Sequence, residues 1–472
     1  MQIFITRGGE KSGPFTLDRV REQLDKGDLM PDDLACQEGG TEWIPLSELM
    51  SKLESSESTA PESSPKRKTL KKIGKILAGI AALAVAFVIY VTIEDYLLDR
   101  ELWGVEIGYS GQMGSPPVIG SDGTVYVRGD KLLAMNGETG DVVWEFDYLR
   151  NNKYEQSSGG APAIGPDGTL YFGGDGRFFA LNSKTGEKKW EMELPDTTTP
   201  AIDSDGNIIV GFGGNTLIAI EGATRSIKWE FQMGKRAKKF GLSSPSISAD
   251  GTVYIVFANG KVYALDGKTG TMKWEFVAEG KVITTPVVGK NGTVIVGSDY
   301  GKVYGLNGQT GAKEWEFKGS SKIFWPAAIG GDGTVYIATG RETFVALDGK
   351  TGSKKWEYKK DDINDVDYSS PRWSPPVIGA DGTIYVGGGG DGSAMVYALD
   401  GRTGAKKWEA FIGTDGYMGE IPDFLAIGKN ATLYARTAAW FTSLKTDDQS
   451  SGSSPWPMFG QNAQHTARPP AK

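Results

Sequence analysis

Residues 115–146 read SPPVIGSDGTVYVRGDKLLAMNGETGDVVWEF. A short apolar run, Val118-Ile119, meets the turn Asp122-Gly123, and the alternating run TVYV follows. A second run ends in Ala134-Met135-Asn136, and Gly140 then precedes Trp144. Asp-Gly between alternating apolar runs is a strong hairpin signal, because both turn residues must tolerate positive φ. The stretch predicts four short antiparallel strands. Its phrases return along the chain: Asp167-Gly168, Asp205-Gly206, Asp250-Gly251, Asn291-Gly292, Asp332-Gly333 and Asp381-Gly382 repeat the turn, with Lys429-Asn430 as a degenerate eighth copy. Trp103, Trp144, Trp190, Trp229, Trp274, Trp315, Trp356 and Trp408 repeat at spacings of 39 to 52 residues.

A period in the forties with glycine-rich turns marks one supersecondary unit used many times. A lone four-stranded meander has two apolar faces and covers neither. Stacking such sheets around an axis covers both and leaves only short edges. Residues 99–446 are therefore expected to form an all-β, eight-bladed β-propeller. Trp103 precedes the first Asp-Gly turn, and nothing after Ser443-Leu444-Lys445 repeats the TGxxxW phrase. Strand Glu101–Ile107 is thus expected to complete the last blade and close the ring.

The repeat resembles those of the pyrroloquinoline-quinone-type β-propeller superfamily, and the tail PWPMFGQNAQHTARPP (447–472 contains it) resembles a signature attached to bacterial members, with Ala467 where Gly is usual. The resemblance implies that the TGxxxW glycine and tryptophan dock one blade on the next: Gly140/Trp144, Gly186/Trp190, Gly270/Trp274, Gly311/Trp315, Gly352/Trp356 and Gly404/Trp408. Trp229 follows a divergent turn, EGATRSIKW. The superfamily's dehydrogenases resemble one another in a vicinal cysteine pair, a calcium site and an aspartate base. This chain has a single cysteine, Cys36, outside the repeats. No cofactor, metal or catalytic residue is expected, and the resemblance implies a scaffold or binding module rather than an enzyme. The one histidine, His465, lies in the tail and offers no base for a triad. The net charge of −8 gives no basic field for nucleic acid.

The first hundred residues differ in kind. Ile76 to Ile93, ILAGIAALAVAFVIYVTI, carries no charge. As a helix it spans about 27 Å, close to a bilayer core of about 30 Å. Lys66, Arg67, Lys68, Lys71, Lys72 and Lys75 precede it, while Glu94, Asp95 and Asp99 follow. A single transmembrane helix over 76–98 is expected, with the N-terminus cytoplasmic and the propeller outside the cytoplasm. With the family resemblance this implies a bacterial inner membrane. Residues 51–75, rich in Ser, Pro and Glu and then basic, read as a disordered linker.

Residues 1–50 read as a small α+β domain. QIFITR alternates as a strand, and Leu17, Val20 and Leu24 share a helix face between Thr16 as N-cap and Gly27 as stop. GPF (Gly13, Pro14, Phe15), GDLMPDD and EWIPL with Trp43 resemble a bacterial GYF-like domain. The resemblance implies a peptide site at Gly13, Pro14, Phe15 and Trp43 for a cytoplasmic peptide or protein. Ile3 and Phe4 stand where relatives carry Trp and Tyr.

Long links follow the outer strands at 147–160, 232–242, 359–373 and 412–424. All run from an outer strand to the next inner strand, so they belong to one face, and loops on a rigid scaffold are where binding residues gather. The candidate partner face is Tyr148, Tyr154, Lys235, Arg236, Lys238, Lys239, Asp361, Asp362, Asp365, Tyr368, Trp373 and Tyr417. The expected function is an envelope scaffold engaging a protein or envelope polymer. A ligand-sensing receptor coupled to the inner domain is the alternative, and a quinoprotein dehydrogenase the third.

Overall fold

The structure is a computed structural model that describes residues 2–8, 10–37, 40–57, 100–107, 115–149, 160–232, 243–257, 259–360, 373–390, 393–412, 424–437 and 440–448, with positions 458, 460 and 462. The expected membrane span, most of its linker, nearly all of the four long links and His465 lie outside the described residues. No helix among the described residues is long and apolar enough to cross a membrane. The chain divides into two compact units, Met1–Thr92 and Ile93–Lys472.

In the first unit, strands Gln2–Arg7, Glu10–Thr16, Leu34–Gln37 and Ile44–Pro45 form one antiparallel sheet, with Gln2–Arg7 between Glu10–Thr16 and Leu34–Gln37. Helix Leu17–Asp25 starts after Thr16, whose side chain makes no cap bond, and stops at Gly27, φ +77°. Ile3, Ile5, Val20, Ala35, Leu46 and Leu49 are buried together. The second helix, Leu46–Glu57, continues past the expected boundary at residue 50 into the stretch read as linker. The reason is visible in its spacing: Leu46, Leu49, Met50 and Leu53 recur at helical period and pack on the core. Arg7 clamps the buried carboxylate of Asp33 with contacts of 2.5 and 2.7 Å. That pairing, opposed by burial, holds Asp33 below the ordinary carboxylate value of 3.8.

Among the described residues, the second unit forms eight four-stranded sheets. Seven are consecutive meanders; blade 4, for example, is Ser246–Ile247, Thr252–Val256, Lys261–Asp266 and Met272–Val277. The eighth contains Phe424–Ile427, Thr432–Arg436, Trp440–Lys445 and Glu101–Glu106. Trp440 pairs with Glu106 and Ser443 with Trp103, so the first propeller strand completes the last blade. This is a β-propeller closed by its own N-terminal strand. The two-residue first strands of successive blades are neighbours, which sets them innermost. The middle strands are buried throughout, as in Thr252–Val256, while the outermost alternate, as in Met272–Val277. That is the pattern of a sheet covered on both faces except at its rim.

The turns lock each blade. Asp167 accepts the Thr169 N–H at 3.0 Å and its hydroxyl at 2.5 Å, and Lys189 on the outer strand reaches the same hydroxyl at 2.5 Å. Asp381, Thr383 and Lys407 repeat the arrangement in blade 7. Gly387–Gly390 forms the end of the strand Thr383–Gly390. A Cβ at Gly388 would stand 2.6 Å from the Tyr397 ring and 3.4 Å from Trp373, so this run of glycines makes room for two large aromatics.

Candidate functional site

Among the described residues, six boundaries between blades are built from a tryptophan and a glycine, and the pairing crosses the boundary. Trp103 lies against Gly140, Trp144 against Gly186, Trp229 against Gly270, Trp274 against Gly311, Trp315 against Gly352 and Trp356 against Gly404. Each of these indoles lies on the glycine of the following blade rather than on the glycine of its own phrase. The cause is local. Each of these glycines has φ between +70° and +79°, a conformation that L side chains adopt at a penalty, and its bare α-carbon lets the indole lie flat on the turn.

Hydrogen bonds fix the ring planes. Trp274 Nε1 donates to the Gly308 carbonyl at 2.8 Å, and the Tyr254 hydroxyl donates to the same oxygen at 3.0 Å. The pattern recurs with Trp144 and Tyr126 on Ser183, Trp356 and Tyr336 on Gly401, and Trp103 and Tyr434 on Gly137. Burial, then the nearby Asp332 carboxylate, pushes the Tyr336 phenol up to about 12, so it stays protonated and serves as a donor. These tyrosines were missed in the sequence reading; their signal was the recurrent third residue of TVYV.

Two boundaries depart. Trp190 packs against apolar residues of blade 3, whose divergent turn puts Arg225 in the glycine's place at φ +62°. Trp408 meets blade 8, which has no TGxxxW turn. Its indole nitrogen is buried with no hydrogen-bond partner among the described residues, and the Arg100 guanidinium lies 4.3 Å from the ring. Arg100 also binds Lys445 O at 3.2 Å and Asp447 at 3.0 Å, tying the closing strand to the last hairpin.

The long links are described only at their stems. Tyr148 is 3% exposed: its hydroxyl donates to Gly129 O at 2.5 Å, and Arg128 lies 5.1 Å from its ring. Arg128 also donates to Gly160 O at 3.4 Å, so one buried guanidinium touches both ends of the first link. Trp373 is 1% exposed, packed against Phe344, Tyr358 and Tyr397. Phe424 meets Trp325 edge-on at 5.5 Å. Tyr148 and Trp373, expected on an open partner face, belong to the core. A buried aromatic removes about 150–250 Å² from water, and that is what secures the bases of three of the four links. Tyr154, Lys235, Arg236, Lys238, Lys239, Asp361, Asp362, Asp365, Tyr368 and Tyr417 lie outside the described residues. In the tail, Met458 is buried and bridges to Ala426.

In the first unit, Phe15 packs with the core, whereas Phe4 and Trp43 are half-buried and flank Lys11, whose ammonium lies 4.5 and 5.4 Å from their rings. Gly13 stands close over Phe4, and Pro14 is exposed. Among the described residues no three His, Cys, Asp or Glu side chains are grouped to hold a metal ion.

The repeats of residues 149–283 and 277–435 match the family described as outer membrane protein assembly factor BamB. The chain belongs to this family. Residues 4–50 match GYF domain 2. No curated protein matches the chain. Among solved structures, BamB from Moraxella catarrhalis is similar at 20% identity over 73% of this chain and 99% of that one, TM-score 0.55. Quinohemoprotein alcohol dehydrogenase from Comamonas testosteroni is similar at 15% identity over 75% and 78%, TM-score 0.55. The C-terminal WD40 domain of Sif2 is similar at 13% over 74% and 98%, TM-score 0.57. At such identities these likenesses show a shared propeller fold.

Proposed function

We propose that this BamB-family propeller is a membrane-anchored, non-enzymatic scaffold that engages a protein or envelope polymer outside the cytoplasm. One observation carries the reading: the links leave a closed ring on stems plugged by Tyr148, Trp373 and Phe424, and in a meander all such stems lie at one end. A rigid base with long insertions at one end is the architecture of a binding face. The uncharged stretch 76–93, with basic residues before it and acidic residues after, supports the anchor and its orientation. The family's description as an outer-membrane assembly factor supports an envelope role. The residues do not fit a quinone enzyme. The chain has one cysteine, so it has no vicinal pair, and its repeat tryptophans are engaged at blade boundaries.

The test is in-cell photo-crosslinking from Tyr154, Lys238 and Tyr417 on the links, with Lys268 on the opposite turns as control. Defined covalent neighbours from the links alone support the scaffold. Equal yields from both ends, or none from the links, reject it. Protease accessibility in intact and permeabilised cells tests the orientation. The receptor reading draws on the Phe4, Trp43 and Lys11 cluster, a surface of a kind that peptides contact. It predicts link neighbours that change when a ligand is supplied.

A further inference from the structure

The third residue of the second strand is tyrosine in six blades: Tyr126, Tyr171, Tyr254, Tyr336, Tyr385 and Tyr434. Tyr336 shows its place: the ring lies beside Gly330, just after its own inner strand, and the hydroxyl donates to Gly401 O of the next blade at 3.0 Å. Blade 3 has Ile209 and blade 5 has Ile295 instead. At the blade 5 boundary a cavity of about 260 Å³ opens, lined by Ile295, Ile329 and Val335, and by Gly289 and Gly349. Those glycines are the repeat equivalents of Gly330 and Gly401. Gly349 O accepts the Trp315 indole N–H at 3.2 Å. The second donor, which Tyr254 supplies to Gly308, has no counterpart here among the described residues. Blade 5 departs again at its turn: Asn291 and Glu314 replace the usual Asp and Lys, and the Thr293 hydroxyl donates to Glu314 at 3.0 Å.

We propose that this cavity is a binding site for a phenol ring, seated where six other blades place their own tyrosine. The ligand hydroxyl donates to Gly349 O, and the ring lies on Ile295, Ile329 and Val335. Apolar cavities of roughly 150 Å³ already admit a benzene ring, so the volume suffices. Lys290, Lys350, Asp332 and Asp348 around the lining balance in sign, which favours a neutral ring over an ion. The cavity lies beside the Asp-Gly and Thr-Gly turns, at the end opposite the link stems, so the proposal stands apart from the scaffold reading.

The test titrates 4-methylphenol into the full-length chain and follows the Trp315 indole N–H signal, assigned with Trp315→Phe. Saturable binding that moves this signal is expected. Toluene, lacking the hydroxyl, is expected to bind about tenfold more weakly, the worth of one hydrogen bond. Ile295→Tyr fills the site and is expected to abolish binding. N-acetyl-tyrosinamide separates the sources: binding as tight as 4-methylphenol assigns the site to a tyrosine side chain of a peptide, and binding of 4-methylphenol alone to a small free phenol. Binding unchanged in Ile295→Tyr, or an unmoved Trp315 signal at saturating 4-methylphenol, overturns the proposal. The second readout needs no variant of the cavity, so it decides even where Ile295→Tyr fails to fold.

Discussion

Gly311→Ala is the sharpest probe of how blades 4 and 5 are joined. At φ +72° the new methyl group would stand 2.7 Å from Trp274 Cδ2 and Cε3 and 3.1 Å from Cγ. Carbon pairs prefer separations of about 3.5–4.0 Å, so the indole must retreat. The left-handed backbone alone costs about 1 kcal/mol for a residue with a side chain. Displacing a packed ring adds about 1–3 kcal/mol. Trp274→Ala by itself costs about 3–5 kcal/mol, and it leaves Gly308 O with the Tyr254 hydroxyl, so that carbonyl is not orphaned. In the double variant the methyl group has no ring to strike, and only the backbone part of about 1 kcal/mol remains for Gly311→Ala. The assay is urea unfolding of the full chain by near-ultraviolet circular dichroism, with midpoint shifts read at constant slope. Equal losses from Gly311→Ala in the wild-type and Trp274→Ala backgrounds would refute the wedge, because the whole effect would then be backbone strain.

Arg225→Gly should stabilise the fold by about 0.5 kcal/mol and raise the thermal midpoint slightly, since relief of the φ +62° strain exceeds the entropy added to the unfolded chain. A fall instead would show that the Arg225 side chain itself holds blade 3. Arg100→Ala removes the cation over Trp408 and the tie to Asp447, a loss of about 1–2 kcal/mol. Hydrogen exchange should then quicken first in Glu101–Glu106, and uniform quickening across all blades would contradict a local seal. In the first unit, the depressed Asp33 group contributes stability above its ordinary value of 3.8 and loses it as pH falls through the lower folded value. The advantage of wild type over Asp33→Asn, read by exchange of residues 2–37, should therefore shrink steadily below about pH 4. A pH-independent gap would exclude the ion pair as its source.

The turns were legible because Asp-Gly has few conformational alternatives, and the strands because they alternate between such turns. The indoles were legible as joints, since their spacing follows the repeat. Which glycine each one meets was not: Gly140 and Trp144 are near in sequence, yet the rotation from blade to blade brings Trp103 to Gly140. Tyr148 and Trp373 read as surface aromatics because they sit in long polar links, and their burial depends on Arg128, Tyr358 and Tyr397 arriving from other strands. Arg100 gave no local signal at all, being one cation beside an apolar stretch. Helix Leu46–Glu57 was not read from the sequence, and the domain boundary fell inside it, because its Ser and Glu residues outweighed a periodicity carried by only a few apolar side chains.

The seal between Trp103 and Ser443 spans 340 residues of sequence. During synthesis the earliest propeller strand is thus the last to find its place. At roughly 5–20 residues per second it waits between about 20 s and a minute for its partner to leave the ribosome. Until then blade 1 presents an uncovered flank and Glu101–Glu106 an unpaired ribbon, in search of any edge that will take it. A stop codon before Trp440 would leave the circle permanently ajar.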